Sequence, residues 1–437
     1  MSSLLIIALV FGLALALIAI RLPIGLVLTV CAFIGVAVEA SPKAALGLLS
    51  RLPFETATNW EFSAAPMFLF MGFVAARAGL TTGLFDASRL LLRRVPGALA
   101  VASVMASALF AAASGSSVAT SAAMSRIAVP EMLKRGYDQG LACGTIAASG
   151  TLGSLIPPSL TLILFGIMAD VSIGQLFLAG LLPGILSAVI YMTMIALRVT
   201  VKPALAGTPI SRSEIEAVRW REVMWDILPL PILIALVMGS ISAGWATPTE
   251  SGALGAAGAL VLALLRRRLD FQLLRAALRE TASAFATLFF ILVGGALLVR
   301  FVALTGVSRD LVEFFEMIGG GPYLLLFFVA VVYIVLGMFI DPIGLLLLTI
   351  PVFLPIAQSM DMDLVWFGIL LVKLLEIGLI TPPVGLNIYV IKSTLGNLVD
   401  LPTIFRGIFW FIAMDLLTLI ILIAWPQITL WLPSMMR

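Results

Sequence analysis

Gly378-Leu379-Ile380-Thr381-Pro382-Pro383-Val384-Gly385-Leu386-Asn387 repeats the punctuation of Gly153-Ser154-Leu155-Ile156-Pro157-Pro158-Ser159 at an offset of 225 residues. Each stretch interrupts a long apolar run, 141–170 in the first case and 365–394 in the second. Two adjacent prolines remove two backbone donors and bar the turn before them from closing, so a helix entering either stretch has to break. The offset recurs at Pro23 and Pro248 and at Pro130 and Pro355. With proline at about 5% of residues, chance supplies about 0.6 such matches, against the four in this chain.

Working outward, two more apolar regions are interrupted at the same offset. Residues 97–133 are broken by Ser114-Gly115-Ser116-Ser117, and residues 322–358 by Asp341-Pro342. Each reads as two half-length helices meeting at a tip, a re-entrant hairpin. Ser116 and Asp341 both suit the N-cap of the returning arm, and Pro342 suits its first turn. The remaining apolar runs predict spans at about 4–20, 24–40, 62–80, 141–170 and 175–198, then 227–244, 247–265, 284–304, 365–394 and 403–432. Such runs can cross about 30 Å of hydrocarbon at about 1.5 Å per residue. The expected fold is therefore an all-α polytopic membrane protein built as an inverted repeat. Residues 1–210 form the first half and 211–437 the second. Each half has five spans, one hairpin and one broken helix; an odd span count turns the second half upside down. Inverted repeats with broken helices mark secondary transporters, with the site near the midplane.

Composition agrees. Of 437 residues 62% are hydrophobic and 11% charged, too few charges for a water-facing surface. Histidine is absent, which removes His-dependent hydrolase triads, His zinc sites and His proton relays. Cys31 and Cys143 lie apart in apolar runs, so neither a disulfide framework nor a CxxC site is suggested. No GxxxxGK[ST] motif occurs, so no ATP site is expected. The net charge of +3 is explained by the positive-inside rule rather than by nucleic acid. In the ten-span, two-hairpin topology 20 of the 26 Lys and Arg fall on or near one face. Arg89, Arg93 and Arg94 precede the first hairpin and Lys134 and Arg135 follow it, so both its ends lie on the cytoplasmic side. The termini are then periplasmic, in an inner-membrane setting. No basic residue precedes the first apolar run, so a cleaved signal peptide is not expected.

The four breaks supply chemistry. Unpaired carbonyls at a broken helix bind cations, and the N-termini of the following half-helices bind anions. The candidate cation ligands are Ser114, Gly115, Ser116, Gly150, Gly153, Ser154, Asp341, Gly378, Thr381 and Gly385. The candidate substrate contacts are Ser116, Ser117, Thr120, Arg126, Ser159 and Asn387. Alternatives stay open at several of these. Asp341 suits a simple cap as well as an ion ligand. Arg126 can meet a substrate carboxylate or snorkel to the cytoplasm. Lys373 and Glu376, spaced i, i+3, can simply neutralise each other. Glu250 after Thr247-Pro248-Thr249 is expected to cap a helix, and Asp415 falls outside the predicted site. Amphipathic segments are expected at 84–95, 266–283 and 308–318. Sodium is favoured as the coupling ion because few buried carboxylates are present; Asp341, Lys373 and Glu376 keep a proton open. No other cofactor is implied.

Ser114-Gly115-Ser116-Ser117-Val118-Ala119-Thr120 leads into Arg126-Ile127-Ala128-Val129-Pro130-Glu131, and Gly144-Thr145-Ile146-Ala147-Ala148-Ser149-Gly150 into Gly153–Ser159. With Thr247-Pro248-Thr249-Glu250-Ser251-Gly252 and Thr381-Pro382-Pro383-Val384-Gly385, this ordered set resembles the large membrane subunit (DctM type) of TRAP transporters, the tripartite ATP-independent periplasmic systems. The resemblance spans essentially the whole chain. It implies a sodium-driven importer of small organic acids, such as C4-dicarboxylates, sialic acids, sugar acids or keto acids, working by an elevator movement. It also implies two partners besides membrane lipid: a small four-helix membrane subunit (DctQ type), expected as a separate protein, and a periplasmic substrate-binding protein (DctP type). The competing reading is a stand-alone sodium- or proton-coupled anion symporter of a related elevator class. A channel or an intramembrane protease fits less well, since the tips enter from opposite faces and no GxGD pair is present.

Overall fold

The structure, a computed structural model, describes residues 3–81, 83–208, 220–317, 319 and 321–436. The expected boundary between halves at 210/211, the basic residues Arg212 and Arg219, Ile318 of the amphipathic segment and Arg437 lie outside the described residues. All regular structure among the described residues is helical.

The chain opens with α1 (Ser3–Ala19), α2 (Ile24–Glu39), α3 (Pro42–Thr58), α4 (Ala64–Arg77) and α5 (Leu84–Leu91). The first hairpin is α6 (Ala98–Ser114) and α7 (Ser117–Lys134). The first broken helix is α8 (Gln139–Thr151) and α9 (Leu160–Ala169), followed by α10 (Ile173–Val201). Then come α11 (Trp220–Ile227), α12 (Pro229–Ser242), α13 (Pro248–Leu265), α14 (Phe271–Thr305) and α15 (Val307–Met317). The second hairpin is α16 (Pro322–Gly337) and α17 (Pro342–Ser359), and the second broken helix is α18 (Leu364–Ile380) and α19 (Leu386–Leu395). The chain closes with α20 (Leu401–Ala424) and α21 (Gln427–Leu430). Six helices among the described residues are long and apolar enough to cross a membrane. This is a multi-pass membrane protein.

Four boundaries differ from the sequence reading. Residues 42–58, which lie between two expected spans, form α3. Ser41 caps it through the Ala44 N–H at 3.1 Å and Pro42 fills its first turn, but its apolar residues make no continuous run. The expected span at 62–80 is a 3₁₀ turn, Trp60–Ser63, followed by the 14-residue α4. The amphipathic stretch 266–283 is not a separate helix: from Phe271 it runs unbroken into the expected span 284–304. Asp270 caps the joint helix through the Leu273 N–H at 2.6 Å, and no proline interrupts it. The last expected span, 403–432, stops at Ala424 because Pro426 disfavours helical backbone just before it.

Close packing of small residues sets the layout. A Cβ on Gly294 of α14 would lie 2.9 Å from the Gly25 carbonyl oxygen of α2, so these helices touch backbone to backbone. A Cβ on Gly144 of α8 would lie 2.7 Å from the Gly407 oxygen of α20. Thr247 and Glu250 form the expected capping box at the start of α13. The base of the first hairpin is tied by the Leu99 N–H, which donates to the Tyr137 hydroxyl at 3.2 Å.

Candidate functional site

The first tip forms because α6 ends on Gly115, whose φ of +59° is a left-handed C-cap that glycine adopts without Cβ strain. The chain then restarts at Ser116, the N-cap of α7, whose Oγ accepts from the Ala119 N–H at 3.4 Å. Two hydroxyls close the tip. Ser114 Oγ and Thr120 Oγ1 are 2.8 Å apart, and Thr120 Oγ1 also donates to the Ser116 carbonyl at 2.9 Å.

This tip sits on the first broken helix. Ser117 Oγ lies 2.6 Å from Ser154 Oγ and donates to the Thr151 carbonyl at 3.1 Å. Ser159 caps α9 through the Leu162 N–H at 3.4 Å, and its hydroxyl bonds back to the Ser154 carbonyl. A Cβ on Gly153 would lie 2.9 Å from the Ser116 carbonyl carbon, and one on Gly115 would lie 2.9 Å from the Pro158 oxygen. The glycines therefore let two irregular backbones touch. Of the oxygens the sequence assigns to a cation, those of Ser114, Ser116 and Ser154 are here engaged by neighbouring hydroxyls, whose O–H can rotate to another acceptor.

The second tip repeats the plan with different groups. Asp341 caps α17, with Oδ2 accepting from the Ile343 and Gly344 N–H groups at 3.1 and 3.3 Å. Pro342 holds the first helical position as expected. The other Asp341 oxygen, Oδ1, is buried and has no hydrogen-bond partner. The second tip packs on the second break: a Cβ on Gly378 would lie 2.8 Å from Gly337 Cα, and the Gly385 N–H donates to the Met338 carbonyl at 3.3 Å. Gly385 has φ +62° and opens α19. Thr381 turns its hydroxyl back onto the Ile377 carbonyl at 2.5 Å. Both proline pairs, Pro157-Pro158 and Pro382-Pro383, are joined by cis peptide bonds.

Each tip is thus joined to the break that follows it in the chain, and the two tip-and-break units meet through helices. α19 packs against α7 and α8, while α9 packs against α17 and α18. Asn387, fully buried, donates through Nδ2 to the Ala147 carbonyl at 3.4 Å, and its Oδ1 has no partner. Ser121 Oγ is also buried without a partner and lies 1.9 Å from where a Cβ on Gly150 would stand.

The structure thus gathers Ser114, Gly115, Ser116, Ser117, Thr120, Gly153, Ser154 and Ser159 into one cluster, and Asp341, Gly378, Thr381 and Gly385 into another. Gly150 and Asn387 lie beside the first cluster, on α8 and α19. Arg126 is not drawn in. It is exposed on α7, about 13 Å along the helix from Ser117, with no hydrogen-bond or ion-pair partner among the described residues.

Two groups escaped the sequence reading. Ser121 stands one turn past Ser117 on the α7 face that meets Gly150, a spacing visible in the sequence. Asp415 was placed outside any site, yet Lys373 Nζ reaches Asp415 Oδ1 at 2.6 Å as well as Glu376 Oε2 at 3.1 Å. The expected pair is a three-charge cluster, completed by Ser187 Oγ at 3.2 Å from Nζ and by the Tyr191 hydroxyl bonded to Asp415.

Residues 11–428 match the family model described as tripartite ATP-independent periplasmic transporter, DctM component. The chain belongs to this family. It is 34% identical over 396 residues to the C4-dicarboxylate TRAP transporter large permease protein DctM of Pseudomonas aeruginosa, covering 90% of this chain and 91% of that one. It is 31% identical over 378 residues to the sialic acid TRAP transporter large permease protein SiaM of Vibrio cholerae, covering 86% and 87%. Among solved structures, the YdaH transporter of Alcanivorax borkumensis shares its fold, with a TM-score of 0.62 over 89% of this chain and 90% of that one, at 16% identity. As a DctM-family chain it is a large permease subunit of a secondary transporter, not an enzyme, and its family is that of tripartite complexes.

Proposed function

We propose that this subunit imports small organic acids in symport with sodium, fed by a periplasmic binding protein and assembled with a small four-helix membrane subunit in the bacterial inner membrane. The observation that carries the reading is the pairing of each hairpin tip with a broken helix, at Gly153–Ser116 and at Gly378–Gly337. Each pair concentrates carbonyl and hydroxyl oxygens, the ligands that hard cations prefer, at non-helical backbone buried in protein. The 225-residue offset between Ser116 and Asp341, and between the proline pairs, supports two inverted halves, 1–210 and 211–437, with both termini periplasmic. Two such sites supporting one another suit an elevator movement better than a pore.

Ser116, Ser117, Thr120, Ser159 and Asn387 are the substrate contacts in this reading, and Ser114, Gly115, Ser116, Gly150, Gly153, Ser154, Asp341, Gly378, Thr381 and Gly385 the cation ligands. The acid carried is of the class named for the relatives, C4-dicarboxylates or sialic acid. The test is uptake of radiolabelled succinate or sialic acid into proteoliposomes holding the large and small subunits, with the binding protein outside. Uptake is expected to need an inward sodium gradient and no ATP. Undiminished uptake with potassium in place of sodium, under a proton gradient, would refute sodium coupling. Uptake without the binding protein would favour the stand-alone symporter.

A further inference from the structure

The charged cluster lies outside both tips, and it joins the elements that carry both breaks. Lys373 and Glu376 lie on α18, the arm leading into the second break. Asp415 lies on α20, and Ser187 and Tyr191 on α10. All five side chains are fully buried. Lys373 Nζ makes three contacts, at 2.6 Å to Asp415 Oδ1, 3.1 Å to Glu376 Oε2 and 3.2 Å to Ser187 Oγ. Tyr191 donates to the same Asp415 oxygen, and its ring centroid lies 5.8 Å from Nζ.

The face of α10 that carries Ser187 and Tyr191 also carries Gly180 and Gly184, at helical spacings of three and four. Those two glycines touch the first break. A Cβ on Gly180 would lie 2.5 Å from the Leu155 carbonyl oxygen, and one on Gly184 would lie 2.6 Å from Ile156 Cγ1. One stripe of α10 therefore leans on the first break at one end and on Lys373 at the other. α20 leans instead on α8, the arm that leads into the first break: a Cβ on Gly144 would lie 2.7 Å from the Gly407 oxygen, the Phe411 ring stacks edge-on to Tyr191 at 5.7 Å, and Asp415 follows one turn later. From Lys373 it is five residues, about 7.5 Å along α18, to Gly378 at the second break.

We infer that Lys373 is a positioning residue: with Asp415, Glu376, Ser187 and Tyr191 it locks α18 to α10 and α20, so that the two breaks hold one fixed geometry. The inference takes the breaks to be the ion sites, as proposed above, but its decisive measurement does not depend on sodium. A buried charge cluster is weak evidence of stability, since an apolar replacement of similar volume is often as stable. What it adds is direction. Apolar helix faces slide and rotate at little cost, whereas Nζ can reach both Asp415 on α20 and Ser187 on α10 in only one register of α18, while Glu376 balances the charge within α18 itself.

The test uses the full chain with its small subunit. Lys373→Met alone leaves two buried carboxylates unpaired and is expected to fold poorly. The deciding variant is the triple Lys373→Met, Glu376→Leu, Asp415→Leu, which leaves no buried charge unpaired. Spin labels are placed through Asp170→Cys, after α9, and Ser393→Cys, on α19; both positions are exposed, and the native Cys31 and Cys143 are buried. Pulsed electron resonance is expected to give a narrow distance distribution with the native cluster and one at least twice as wide in the triple variant. The half-saturating sodium concentration for uptake is expected to rise at least fivefold in that variant. An unchanged distance distribution overturns the inference, because a cluster that only fills space would leave the width unmoved. A sodium-independent uptake by the unmodified complex, with the widening still present, supports the lock and refutes the sodium reading instead.

Discussion

The first tip is closed by Ser114 and Thr120 on neutral oxygens, and the second by Asp341 alone. Both meet their broken helix through glycine, and both restart a helix on a side-chain cap. The backbone plan is shared; the charge is not. In the first cluster each cap oxygen has a partner, and the net charge is zero. In the second, one carboxylate oxygen is left buried without a partner. A buried anionic oxygen is expensive to leave unpaired, so the second site has more to gain from a cation than the first.

The largest effect is expected where the shared plan is attacked. A methyl at position 153 or 378 would press on backbone atoms at 2.9 and 2.8 Å, which have no rotamer to yield. Overpacking of this kind costs about 1–3 kcal/mol and displaces the backbone that carries the carbonyls. Gly153→Ala and Gly378→Ala should each lower the unfolding temperature of the purified protein and cut uptake at least tenfold. If either is tolerated on both measures, the close tip-to-break contact in that half is not required.

The charge difference predicts unequal responses at the caps. Asp341→Asn keeps one oxygen that can accept both cap hydrogen bonds but removes the charge that would face a cation. It should raise the half-saturating sodium concentration by roughly 5- to 150-fold, the equivalent of about 1–3 kcal/mol. Ser116→Ala removes a neutral oxygen whose cap hydrogen bond is long, 3.4 Å, and should shift the same curve by only a few-fold. Equal shifts in the two variants would mean that charge does not distinguish the sites. Unchanged curves in both would leave the tips as caps only.

How far the sequence disclosed this arrangement follows from the range of each interaction. The helix-turn-helix tips, the breaks and the caps at Ser116 and Asp341 depend on proline, glycine and side chains acting within a few residues, and all are legible in the chain. α3 was hidden because it is amphipathic and half exposed, so no apolar run marks it. The unbroken length of α14 was hidden because its polar first turns look like a separate surface helix. Asp415 was unreadable for a different reason. Its partners are 42 residues away at Lys373 and 224 away at Tyr191, and only the packing of α10, α18 and α20 brings them together.

The smallest effect is expected at Arg126, a charge the sequence offers as a substrate contact. From Ser117 to Arg126 is nine residues, about 13 Å along α7. An arginine side chain spans about half that distance, so a ligand held at the caps of the first tip lies beyond its guanidinium. Val118 and Ile127, also exposed on α7, are apolar, and no described group orients it. An exposed, unoriented cation this far from its target contributes through a screened field rather than a contact, and such interactions are worth at most about 1 kcal/mol. Arg126→Gln should therefore leave the substrate KM within about threefold of the native value and the sodium curve unmoved. A tenfold rise in KM, restored by Arg126→Lys, would place the substrate carboxylate down the α7 arm instead of at the tip. The two hairpins would then differ in function as well as charge, the first holding the acid along its returning arm and the second holding the ion at its cap.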